Sequence, residues 1–186
     1  MLKEVIDYIN GRIETLNIIE SRHGICEIIT DGTRTFPAEY CNNTHAPVSE
    51  FTLFKGVCYH RIEGYSIEQD NENSSNGCSI YSKKEYDIKS VFCVKKDVYD
   101  NNAYAEELIV NNLEKVISVQ NSETLCTSLD MDVVSINIDG VELDRKKLYK
   151  EEYNIENKIG YEYAYFALSI KIIIEGELDC QTLTTC

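Results

Sequence analysis

All three histidines of the chain lie close in sequence to a cysteine, so metal binding is the first chemistry to consider. The pairs are His23 with Cys26, Cys41 with His45, and Cys58 with His60. Neutral imidazole and thiolate are good zinc ligands, and Cys2His2 sites draw on such short pairs. No CxxC pair occurs, however, and successive residues of a strand around His60 would face opposite sides of a sheet. We therefore favour surface histidines and core thiols, and predict no metal and no cofactor.

Nucleophilic catalysis has less support. Cys58 and His60 could be proposed as a catalytic nucleophile and its base. Residues two apart in sequence, however, need not direct their reactive atoms at one another. The sequence has no G-x-S-x-G, the pattern of a nucleophile elbow. It also lacks G-x-G-x-x-G and G-x-x-x-x-G-K, the glycine-rich phosphate-binding loops. We predict that the protein is not an enzyme and has no catalytic residues.

Composition limits the classes of partner. The formal charge of −14 argues against tight nucleic-acid binding, which needs clustered lysine and arginine. The eight cysteines are scattered, and no basic region followed by a long apolar run precedes them, so we predict reduced thiols and no signal peptide. No stretch approaches the roughly 18 apolar residues of a membrane span.

The most distinctive element is a long strand predicted over residues 161–174, which read YEYAYFALSIKIII. Its even positions from 164 to 174 are all apolar, and three successive odd positions, 161, 163 and 165, are tyrosine. At roughly 3.3 Å per residue it would be about 46 Å long, whereas a compact chain of this length has a radius of gyration near ~16 Å. We therefore predict that one end overhangs and pairs with another chain. Because tyrosine suits protein contacts, Tyr161, Tyr163 and Tyr165 are the predicted subunit interface.

The remaining periodicity predicts one α+β domain over residues 1–186, a mixed or antiparallel sheet packed by an N-terminal helix and a central helix. The helices are predicted at 2–13 and 103–119, the second capped by Asn101 or Asn102. Asp31-Gly32 and Asp139-Gly140 are predicted turns, and 69–77 a polar hairpin tip. The other predicted elements are β-like segments at 16–21, 25–30, 35–41, 55–63, 86–98 and 133–139 and a charged connector at 143–153.

In the second half, strand 86–98, capped helix 103–119 and strand 133–139 lead to the closing phrase EYAYFALSIKIIIEG. This order resembles the tail-terminator and neck-ring (tail-completion) proteins of tailed bacteriophages. The resemblance covers about half of the chain, and the stretch 47–77 matches nothing in that family. It implies a tail-terminator-like fold without catalytic residues.

The resemblance further implies a virion structural protein, assembled in the host cytoplasm. Such subunits form homo-oligomeric rings, commonly hexameric, between the head connector and the tail, and they contact the neighbouring connector and tail proteins. DNA passes through without specific binding, which suits an acidic wall, and no membrane is involved. Two alternatives stay open: a small-molecule-binding or enzymatic α+β domain with its pocket on the tyrosine face, and a cytoplasmic adaptor that binds one protein at 1:1.

Overall fold

A computed structural model describes residues 2–41, 43–48, 53–70, 79–100, 103–118, 131–154 and 159–179. It has the predicted α+β architecture, with a mixed seven-stranded sheet. A short 3-10 helix, Lys96–Tyr99, follows the fifth strand. The helices and strands run in the order α1 (Leu2–Glu14), β1 (Ser21–Asp31), β2 (Arg34–Cys41), β3 (Thr44–Pro47), β4 (Gly56–Asp70), β5 (Ser79–Lys95), α2 (Ala105–Ile117), β6 (Met131–Glu142), α3 (Arg145–Tyr153) and β7 (Tyr163–Asp179).

The sheet order is β3-β2-β1-β4-β5-β7-β6. All neighbouring strands are antiparallel except β1 and β4, which are parallel. The predicted turn after Asp31 joins β1 to β2, and Gly32 there has a φ of 60°, a left-handed conformation that glycine adopts without steric cost. Of the predicted hairpin tip at 69–77, the first two residues belong to β4, and residues 71–77 lie outside the described residues.

The predicted overhang of the 161–174 strand is not observed. β7 pairs with β5 along its whole length, from Tyr163 opposite Lys95 to Asp179 opposite Ser79. On its other side, residues 167–176 pair with β6. A central strand hydrogen-bonded on both sides has little backbone left for another chain, so β7 is not the assembly edge.

The apolar even face of β7 packs as predicted. Phe166 stacks on Phe92 of β5, with ring centroids 5.4 Å apart, and both lie in one buried cluster with residues of α1 and α2. In α1 the buried side chains follow the three-to-four-residue spacing of an amphipathic helix: Val5, Ile6, Ile9 and Ile13. We call this side of the sheet the α1–α2 face.

The opposite side of the sheet is covered by α3. Asp144 caps this helix, because its Oδ1 accepts from the backbone N–H groups of Lys146 and Lys147, each at 3.1 Å. Such a cap satisfies donors that have no partner within the helix. Its Leu148 and Tyr149 pack on the second buried cluster. We call this side the α3 face.

Several boundaries differ from the sequence-based expectation. Residues 16–20 are a turn, closed by bonds such as Leu16 N–H to the Ile13 carbonyl at 3.1 Å, and not a strand. β6 continues through the predicted Asp139-Gly140 turn with a register shift, which is a bulge and not a chain reversal. The residue preceding α2 is Tyr104, which makes no side-chain cap, and the predicted caps at 101 and 102 lie outside the described residues.

Candidate functional site

Two of the three tyrosines predicted to form a subunit interface are buried inside the chain. Tyr163 is 7% exposed and Tyr165 is 0% exposed, whereas Tyr161 is 90% exposed. The reason is α3, whose Tyr149 meets the Tyr165 ring edge-on at 5.8 Å. The prediction is therefore corrected for Tyr163 and Tyr165, which are core residues of the α3 face, and only Tyr161 is available to a partner.

A buried ion pair lies under the same helix. Glu152 of α3 is fully buried, and its Oε1 accepts from Arg61 Nη1 at 2.5 Å. Burial raises the pKa of the Glu152 carboxyl, while Arg61 and the nearby Tyr59 hydroxyl oppose that rise. Neither Glu152 Oε2 nor Tyr59 Oη has a partner in ordinary hydrogen-bond geometry among the described residues. This pair fixes α3 to β4, and its loss would leave a buried charge.

On the α1–α2 face, His60 is fully buried in a polar cluster. Its Nε2 lies 3.0 Å from Asn10 Oδ1, and its Nδ1 lies 2.7 Å from Ser90 Oγ. Asn10 Nδ2 donates to the His23 carbonyl at 3.1 Å, which fixes the amide orientation. Because an amide oxygen only accepts, the neutral ring carries its proton on Nε2, and Ser90 donates to Nδ1. His60 thus joins α1, β4 and β5.

His23 has neighbours of a different kind. Its Nε2 lies 3.2 Å from Ser21 Oγ, and its Nδ1 lies 3.5 Å from Glu39 Oε2. Burial lowers the pKa of His23, and Glu39 opposes the shift. The contacts connect the irregular start of β1 to β2, so His23 has a structural role here.

The three histidine–cysteine pairs of the sequence raised the question of a metal site. Within the described ranges, no three His, Cys, Asp or Glu side chains are placed to hold a metal ion. Burial raises the pKa of each described free thiol, at Cys26, Cys58 and Cys93, to about 12. Since the thiolate is the nucleophile and the metal ligand, burial disfavours the reactive form of these three cysteines.

The His60 cluster predicts acid sensitivity of folding. Burial lowers the pKa of His60 to about 4 from an ordinary 6.5, with a smaller contribution from His23. As pH falls from 6.5 to 4, the unfolded chain gains this proton and the folded chain does not, so stability is lost in that window. From pH 7 to pH 4.5 we expect the free energy of unfolding to fall by about 2–3 kcal/mol through this residue.

His60→Gln provides the comparison, because glutamine does not titrate. Urea unfolding of both proteins at pH 7 and pH 4.5 isolates the imidazole, since the carboxylates are common to the two. We expect the wild type to lose about 2–3 kcal/mol more than the variant. Equal losses would show that His60 is not held neutral.

The far half of β4 is an exposed feature of the sheet. β1 accompanies β4 only as far as the Ile25–His60 pair, and no described strand pairs with that side of β4 afterwards. A register shift between Ile62 and Gly64 marks the start of this free edge. Unpaired N–H and C=O groups along a strand are a template for another chain.

The free edge is accompanied by exposed apolar side chains. Ile62, Tyr65 and Ile67 are 44%, 66% and 47% exposed. They are paired in register with Ile88, Tyr86 and Lys84 of β5, so they extend the α1–α2 face beyond the core. Tyr65 stacks on Tyr86, with centroids 6.1 Å apart. We call this surface, residues 61–70 of β4 with 81–88 of β5, the distal hairpin.

No protein-family model matches this sequence, and no curated protein matches it. The likeness to ring proteins of tailed phages therefore stays a prediction. Across the ranges that the structure describes, no helix is both long enough and apolar enough to cross a membrane. The function of this chain is therefore inferred from its exposed surfaces.

The distal hairpin could not be assigned from sequence. Strand 55–63 was predicted to end where β4 instead continues to Asp70. The polar stretch predicted as a hairpin tip begins at residue 69, and residues 64–68 belong to no predicted element. The signal that was available is the alternation of Tyr65 and Ile67 with Ser66 and Glu68, a two-residue period typical of a strand.

Proposed function

We propose that this chain is a structural subunit of a homo-oligomeric ring, and that the ring is the neck or tail ring of a tailed phage virion, between the head connector and the tail. The observation that supports the assembly is the distal hairpin, which combines a strand edge that no described strand pairs with and exposed apolar side chains. The resemblance of the second half supplies the placement in a virion.

The size of the free edge suits a contact between subunits. At roughly 3.3 Å per residue, the stretch from Arg61 to Asp70 is about 33 Å long. Monomeric proteins usually protect such edges with charge, proline or a covering element. Here three large apolar side chains lie beside it, and contiguous apolar surface of this kind marks interaction sites.

The overall charge is compatible with a DNA passage. A net charge of −14 gives a wall that repels phosphate and lets DNA slide without specific binding. In this proposal the protein carries no catalytic group and needs no cofactor, and its partners are other copies of itself and the connector and tail proteins above and below.

The proposal predicts that Ile67→Lys weakens assembly without unfolding the subunit. A lysine at the core of an interface is poorly tolerated, and we expect at least a tenfold loss of subunit affinity, about 1.4 kcal/mol. Glu68→Lys is the matched control, because residue 68 points to the opposite face of the strand. Mass photometry across a concentration series measures assembly, and thermal unfolding verifies the fold of both variants.

Two results would count against a ring. A wild-type protein that stays monomeric at all accessible concentrations would favour the 1:1 adaptor. A saturable thermal shift with a small molecule, in a protein that does not assemble, would favour the small-molecule-binding or enzymatic alternative.

A further inference from the structure

An open, mostly apolar pocket of about 340 Å3 lies where the start of α2 meets the end of β6. Its apolar walls include Tyr104, Val110, Val141 and Leu143. Val110 is 9% exposed, whereas Tyr104, Val141 and Leu143 are 67%, 39% and 54% exposed. A concave surface lined mainly by apolar side chains is suited to burying the apolar groups of a partner.

The rim of this pocket is acidic. Glu106 and Glu107 both line it. Lys96 lies 3.2 Å from the Glu106 carboxylate and neutralises it in part, while Glu107 is exposed to solvent. An occupant with the complementary chemistry would present apolar side chains together with one positive charge.

On its α1–α2 face, the distal hairpin has that composition. Tyr65 and Ile67 are exposed, and Lys84 lies directly opposite Ile67 on the same face of the sheet. We propose that the pocket receives the distal hairpin of a second copy of this chain, with the apolar side chains in the pocket and the Lys84 ammonium beside Glu107. This inference rests on the proposed ring and names the two surfaces that would form its contact.

The register shows that the hairpin cannot fill the pocket of its own chain. Val141 is level with Ser90 of β5, because both are paired with Leu168. Lys84 lies six residues further along β5, roughly 20 Å away, and three strand spacings of about 4.8 Å separate β4 from β6. The contact must therefore join different copies.

The two surfaces are different patches of the molecule, so the contact is head-to-tail. Contacts of this type generate closed rings when the rotation between copies closes, and open filaments when it does not. A two-fold dimer would instead bury the same patch on both subunits. The assignment thus agrees with a ring and disagrees with a symmetric dimer.

A charge exchange tests the assignment. We expect Lys84→Glu alone, and Glu107→Lys alone, each to weaken assembly at least tenfold, measured by mass photometry. The double variant should recover assembly to within about threefold of the wild type. Lys83→Glu is the control, because residue 83 points to the other face of β5, and its assembly should match that of the wild type. Circular dichroism verifies that all variants fold.

The outcomes separate this assignment from the ring itself. If the wild type assembles and both single variants assemble equally well, the pocket is not the receiving surface, although the ring proposal stands. Weak single variants that the double variant does not rescue would also overturn the pairing of Lys84 with Glu107. A monomeric wild type would overturn both proposals.

Discussion

Arg61→Met should lower the free energy of unfolding by about 3–5 kcal/mol, because it leaves the Glu152 carboxylate buried without its cation. Glu152 is fully buried and lies 2.5 Å from the guanidinium. Arg61 also pairs with Glu63 at 3.2 Å, where the carboxylate is exposed. Glu63→Gln is therefore the control, and it should cost less than about 1 kcal/mol.

The destabilisation should depend on pH in a defined direction. Burial already raises the pKa of Glu152, and removing Arg61 raises it further. A carboxyl whose pKa is higher in the folded state keeps its proton there at pH values where the unfolded chain has already lost it. The free energy of unfolding therefore falls as pH rises. Urea unfolding should show a larger loss at pH 8 than at pH 5.

The double variant Arg61→Met/Glu152→Leu sharpens this test. Replacing a whole buried ion pair by apolar residues of similar volume is often neutral or stabilising. We expect the double variant to recover most of the stability lost by Arg61→Met. If Arg61→Met alone is neutral at both pH values, the ion pair does not hold α3 on the sheet.

Tyr165→Lys should destabilise the fold by at least about 4 kcal/mol, since it puts an ammonium group at a fully buried position and removes the ring that packs against Tyr149. The same substitution at Tyr161 is the control. Tyr161 is 90% exposed, so Tyr161→Lys should change stability by less than about 0.5 kcal/mol. Thermal and urea unfolding distinguish the two.

This pair of variants also decides between the two interpretations of the tyrosine row. A subunit-interface role predicts that Tyr165→Lys folds normally and fails only to assemble. A core role predicts that it fails to fold. A well-folded Tyr165→Lys protein, with the melting temperature of the wild type, would contradict the position of α3 over the sheet.

The sequence predicted one face of β7 correctly and the other incorrectly, for a physical reason. Six apolar residues on alternate positions can only be stabilised by burial, so the α1–α2 face followed directly from the pattern. Tyrosine carries a large ring and a polar hydroxyl, so a row of tyrosines is compatible with core and with interface alike. The deciding element is α3, whose sequence RKKLYKEEY has too few apolar residues to indicate a packed helix.

The site residues were hard to predict because their partners are distant in sequence. Arg61 and Glu152 are separated by 91 residues, and His60 and Asn10 by 50. No spacing rule connects such positions. His60 was singled out as a possible metal ligand, whereas the structure gives it hydrogen bonds to Asn10 and Ser90. The prediction of a surface histidine is wrong for His60, which is fully buried, because the partners that satisfy its ring nitrogens come together only in the tertiary fold.

The position of β7 between β5 and β6 has a consequence for biosynthesis. β6 is translated before β7, yet within the described sheet its only strand partner is β7. Until β7 leaves the ribosome, the apolar centre of β5 at Val91–Val94 lacks the strand that pairs with it opposite β4. In the same interval β6 has no described strand to pair with. Such long-range pairing slows folding, and exposed strand edges in the interval favour aggregation. Nascent chains arrested before residue 163 should therefore depend on chaperones that shield unpaired β-strands.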